Sequence, residues 1–171
     1  FKIYPEYIQE RNLAYLDKYI PLWMSRTDQV VAISPSAREE IERELQLRDV
    51  AVVPNAVNTD EFYPRPKDEV VRAREKWNIP EEYMLFIGNI EPRKNLVNTI
   101  KAFCRYVQKT GSNEALVLVG GGGWRNEEIL EEIEKAKQKG VMVIRPNGYV
   151  PDEDLPPLIT GASALLQLSW H

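Results

Sequence analysis

One pattern limits what this chain can fold into: short, unbroken apolar runs alternate with segments of helical period. The runs lie at residues 83–87, 115–119, 141–144 and 164–168. A strand that is apolar at successive positions must be covered on both faces, as parallel strands between two helical layers are. Between the runs the period lengthens. Leu96, Ile100, Phe103, Cys104 and Val107 share one face of 95–107, and Ile129, Leu130, Ile133 and Ala136 one face of 127–139. Helices are also read at 69–77 and 152–159. This order predicts an α/β fold, a doubly wound parallel sheet with helices on both sides.

Upstream the signals are shorter. Residues 5–26 read as helical through Leu13, Leu16, Ile20 and Trp23, with Pro21 expected to kink or split the segment. A strand is expected at 29–33. A helix follows it, started by a capping box of Ser36 and Glu39. A further strand at 50–53 leads into a loop over 54–66. Phe1 opens a segment already rich in core-type residues, and the last apolar run stops three residues before the end. A buried strand rarely ends a chain, so a piece of a longer protein is expected.

Composition narrows the function. The 171 residues suit one domain and a little more. Lys plus Arg number 22 against 26 Asp plus Glu, a net charge of −4, which excludes a binder that relies on a basic surface to hold nucleic acid. No apolar stretch approaches the length of a membrane-spanning helix. Cys104 and His171 are the sole cysteine and histidine, so an internal disulfide and a His/Cys zinc cluster are excluded, and no metal-ligand set is read. A reducing, cytoplasmic setting fits.

In an open α/β sheet the ligand sits beyond the carboxyl ends of the strands. Four loops are expected to meet there: 54–58, 88–94, 120–124 and 147–152. The second reads Gly88-Asn89-Ile90-Glu91-Pro92-Arg93-Lys94, with Asn95 expected to cap the next helix. Two adjacent cations at a helix amino end are disfavoured by its dipole. They make sense if a phosphate joins them; otherwise they are a solvated pair whose charge Glu91 absorbs. Gly120-Gly121-Gly122-Gly123 either lets a backbone approach a ligand or forms only a turn. It lacks the Lys and Ser/Thr of a P-loop. Cys104, Trp77, Trp124, Tyr83 and Tyr106 read as packing residues.

The ordered set Tyr4-Pro5-Glu6, Ala32-Ile33-Ser34, Val53-Pro54-Asn55, Phe86 through Asn95, Leu118-Val119-Gly120 and Gly148-Tyr149-Val150 resembles the retaining glycosyltransferases of the GT-B fold. More narrowly, it resembles the mannosyltransferase-like enzymes of surface-polysaccharide synthesis. Glu-Pro-Arg-Lys-Asn after an apolar strand and a glycine is its most specific element.

The resemblance implies a Rossmann-like half of a two-domain enzyme. Residues 1–27 would end an acceptor domain, 28–49 would connect, and 50–171 would begin the nucleotide-sugar domain. It implies that Arg93 and Lys94, with Gly88 and Asn89, hold the donor pyrophosphate. Tyr149 and Val150 would meet the nucleobase, Gly120, Gly121 and Gly122 would form a donor loop, and Ser169 and His171 would lie on the sugar side. Two positions depart from the family: many relatives have Arg at Asn89 and Gly at Ala56.

The implied reaction moves a mannose-like hexose from a GDP- or UDP-hexose to a glycan or lipid-linked acceptor with retention. No cofactor is implied beyond that donor. Peripheral association with the inner membrane face is implied for the parent, and this chain alone is expected to be inactive. The alternative is a non-catalytic nucleotide- or sugar-phosphate-binding module. A dinucleotide oxidoreductase is disfavoured, since no Gly-x-Gly-x-x-Gly with a following acidic residue occurs.

Overall fold

A computed structural model describes residues 2–170. The chain divides into two compact units, residues 1–57 and 58–171. In the first, α1 (Glu10–Met24) is followed by β1 (Val31–Ala32), α2 (Pro35–Leu45) and β2 (Ala51–Val52), and the two strands pair in parallel. Helix α1 runs on through Pro21, against the expected break. Pro21 forfeits only the bond its own N–H would donate, and its carbonyl still accepts from the Ser25 N–H at 3.0 Å, so the last turn closes.

The cap of α2 is Ser34, two residues before the expected capping box. Its hydroxyl accepts from the Ala37 N–H at 3.1 Å. Pro35, with φ already set for a helix, takes the first helical position and so fixes the start. β2 pairs with β1, so residues 50–53 do not join the larger sheet. The first compact unit runs on to Val57.

The second unit contains α3 (Lys67–Lys76), β3 (Tyr83–Ile87), α4 (Leu96–Thr110), β4 (Ala115–Val119), α5 (Glu127–Gln138), β5 (Val143–Ile144), α6 (Leu155–Gly161) and β6 (Ala164–Leu165). All four strands are parallel, in the order β5-β4-β3-β6. The apolar runs are unbroken because both sheet faces are covered. Phe86, Leu116, Leu118 and Val143 pack under α4 and α5 with Leu96, Ile100, Phe103, Ile129 and Ile133. Tyr83, Leu85, Val117 and Val119 pack on the other face with Ala73 of α3 and Leu158 of α6. α3 and α6 approach closely: a Cβ on Gly161 would lie 2.5 Å from Val70.

This winding positions the site. The chain moves outward from β3 to β4 to β5, then returns through α6 to place β6 on the other side of β3. Loops leaving the carboxyl ends therefore diverge around β3, where such folds open a crevice. Among the described residues no helix is long and apolar enough to cross a membrane.

Candidate functional site

On the β4–β5 side of β3, two glycines set the floor of a cleft. Gly88 directly follows β3 and Gly120 directly follows β4, at φ +150° and +149° respectively. A Cβ on Gly120 would stand 2.0 Å from the Gly88 carbonyl oxygen, so only two bare backbones can approach this closely. The loops are then stitched together. Gly88 N–H donates to Val119 C=O at 2.9 Å, Ile90 N–H to Gly121 C=O at 3.0 Å, and Gly123 N–H to Ile90 C=O at 3.0 Å. The glycine run is thus no loose turn: it prolongs the β3–β4 pairing past the strand ends.

Above this floor opens a cleft of about 900 Å³. Gly88, Asn89, Gly120, Gly121, Gly122, Tyr149 and Val150 all line it. Val150 is buried and packs in the core beneath, whereas Tyr149 is 76% exposed. Its hydroxyl donates to the Asp152 carboxylate at 3.2 Å, and that hydrogen bond with the carboxylate's charge pushes the phenol's pKa up.

The cleft also takes in Arg145, Asn147 and Asp152, and the Glu134–Lys137 pair of α5, 2.7 Å apart. Asn147 and Asp152 bound a loop expected at this edge, whereas Arg145, Glu134 and Lys137 were not singled out from the sequence. Arg145 carried a usable signal, since it immediately follows β5 at the ligand-bearing edge. Its guanidinium lies over Gly122, Nη2 standing 3.6 Å from where a Cβ there would be.

The cations of the 88–94 loop lie outside the cleft lining. Pro92–Lys94 forms a 3₁₀ turn, and Asn95 follows it in the left-handed region at φ 57°. Asn95 does not cap α4 with its side chain. The left-handed backbone, which Asn tolerates better than most residues, turns its amide toward the Leu168 carbonyl at 3.1 Å. Arg93 is paired with Glu91 at 2.8 Å. The stem of Lys94 lies against Gly88, its Cε 3.7 Å from the Cβ position. Ser169 sits in a segment that follows β6 alongside this loop, bonded by Gln167 Nε2 to Ile87 C=O at 2.8 Å and by Trp170 N–H to Arg93 C=O at 3.1 Å. His171 lies outside the described residues.

The sequence profile of the family described as glycosyl transferases group 1 matches residues 68–170. The chain belongs to that family. It is 28% identical over 169 residues to the O-antigen chain mannosyltransferase B of Escherichia coli, covering 98% of this chain and 44% of that protein. The group 1 fold recurs in solved structures. Sucrose-phosphate synthase of Thermosynechococcus elongatus superposes with a TM-score of 0.69 at 20% identity, over 95% of this chain and 39% of the other. The Anabaena protein HepE, solved in complex with UDP and glucose, superposes with a TM-score of 0.71 at 16% identity, over 99% and 44%. The chain therefore spans less than half the length of each of these proteins. The sheet and its two helical layers are those of a GT-B glycosyltransferase domain, as the sequence led one to expect.

Proposed function

We propose that these residues form the donor-binding part of a longer glycosyltransferase. That enzyme moves a mannose-like hexose from a GDP- or UDP-hexose to a glycan or lipid-linked acceptor, with retention. The observation that carries the reading is the cleft itself. It lies at the carboxyl edge of a parallel sheet, its floor is the paired backbone of Gly88 and Gly120, and an exposed Tyr149 stands at its rim. The chain's relatedness to an O-antigen mannosyltransferase supports the hexose and the acceptor class. In this reading residues 1–27 close the acceptor domain, 28–49 connect, and the donor domain runs from residue 50.

Each residue then has a chemical task. Tyr149 offers the nucleobase a flat face, and the buried Val150 holds the 147–150 segment to the sheet. The side-chain-free backbones of Gly88 and Gly120–Gly122 leave room for the diphosphate beside Asn89. Lys94, lying along Gly88, supplies positive charge where negative charge grows as the glycosidic bond to the β-phosphate breaks. A fixed cation there favours the transition state.

The test is calorimetric titration of UDP and of GDP into the full-length enzyme and its Tyr149→Ala variant, with sugar transfer assayed alongside. Loss of a base-stacking face should weaken binding by about 1–3 kcal/mol. Full affinity in the variant would remove Tyr149 from the base site. Tight binding without transfer to any glycan acceptor would favour the non-catalytic module.

A further inference from the structure

Lys94 and Arg93 are neighbours in sequence, yet the structure treats them differently. The turn that carries them is a 3₁₀ turn, in which successive side chains leave the axis about 120° apart. In that turn the two cations do not face the same point. The stem of Lys94 lies against Gly88, which lines the cleft. It makes no ion pair among the described residues. Arg93 turns away to Glu91, Nη2 to Oε1 at 2.8 Å.

Glu91 is fixed from three sides. Its side chain is only 15% exposed. Its carbonyl accepts the Lys94 N–H at 3.0 Å, which closes the turn. Gly123 backs directly onto it, since a Cβ there would stand 2.8 Å from the Glu91 Cβ. Gly123 therefore packs on the base of the Glu91 side chain, and Arg93 holds its carboxylate. Arg93 is held at both ends, its guanidinium by Glu91 and its carbonyl by the Trp170 N–H.

We infer that Glu91 is a positioning residue of the donor site: it neutralises Arg93 and locks the turn, so that Lys94 alone presents its charge to the donor diphosphate. The inference rests on the donor-site reading and adds a division of labour to it. It also answers why two cations can sit before α4. One of them already has its anion within the protein, so only the other needs a ligand to supply it.

The experiment is a double-mutant cycle read by calorimetric titration of UDP and GDP into the full-length enzyme. Lys94→Ala should weaken binding roughly 10- to 100-fold, as expected when a charge-assisted contact is removed. Arg93→Gln should change affinity less than about fivefold. Glu91→Gln should tighten binding by about threefold or more, because the Arg93 charge, no longer neutralised, then adds to the positive potential around the diphosphate. Glu91→Gln with Arg93→Gln should return affinity to near wild type.

A larger loss in Arg93→Gln would make Arg93 a direct phosphate ligand and overturn the inference. So would a Glu91→Gln variant that binds no tighter, or one whose gain survives without Arg93. A wild-type enzyme that binds neither nucleotide at millimolar concentration would refute the donor site itself. In that case the lock is still read by nuclear magnetic resonance of the Arg93 guanidinium. Its rotation should be restricted in wild type and free in Glu91→Gln; free rotation in both would overturn the lock.

Discussion

A methyl group on Gly120 tests how the crevice is built. In Gly120→Ala the new Cβ falls 2.0 Å from the Gly88 oxygen and 2.6 Å from its carbonyl carbon, both backbone atoms that cannot swing aside. The residue must also keep φ +149°, a region costing a non-glycine residue about 1–3 kcal/mol. Relief requires the two loops to part, which strains the Gly88-to-Val119 and Ile90-to-Gly121 bonds at 2.9 and 3.0 Å. Each is worth about 0.5–1.5 kcal/mol net, so the total loss is about 2–6 kcal/mol. Gly122→Ala is the matched control. Its Cβ meets only the side-chain ends of Asn126 at 3.4 Å and Arg145 at 3.6 Å, which can yield. It should cost less than about 1 kcal/mol. Urea unfolding followed by circular dichroism compares the two directly. Equal stability of both variants would refute the close-approach account of the glycine run.

Two predictions concern the body of the fold, and both depend on pH. Tyr83 is 0% exposed and donates to the Leu158 carbonyl at 2.7 Å, so Tyr83→Phe should cost about 1–3 kcal/mol in urea unfolding. Burial pushes its phenol from 10.0 up to about 12. The associated stability, about 3 kcal/mol at most, is present below pH 10 and lost as pH rises toward 12, so the Phe variant should show a flatter alkaline limb. Glu114 accepts from Ser163 and Tyr106 at 2.6 Å each, and these bonds hold its pKa below the usual 4.5. Its contribution is present above that value and lost as pH falls through the lowered one. Glu114→Gln should therefore flatten the acid limb, and an unchanged acid limb would refute the clasp.

The sheet was legible because burial on both faces writes itself into sequence as unbroken apolar runs. Tyr83–Ile87 and Ala115–Val119 fall where those runs do. Signals shared between neighbouring residues were harder to place. Ser34 and Ser36 both suit a helix start, and Pro35 decided between them. Asn95 suits both a cap and a left-handed turn, and the carbonyl of Leu168, 73 residues away, drew its side chain to the second role. Pairing of β2 with β1 and not with β3 is a tertiary choice that two-residue strands cannot encode locally.

That the glycines and the 147–150 segment line one cleft was legible because both follow strands at the carboxyl edge of the sheet. Arg145 is harder to read because β5 is only two residues long and gives its end little sequence signal. The separation of Arg93 from Lys94 depends on which way each side chain leaves a 3₁₀ turn, which sequence adjacency conceals.

The most direct test of the donor-site account is a crystal structure of the full-length enzyme with GDP or UDP bound. The account predicts the base against Tyr149 and the diphosphate over the backbones of Gly88 and Gly120, with Lys94 at its edge and Arg93 still paired to Glu91. A nucleotide bound elsewhere, leaving this cleft to solvent, would contradict it.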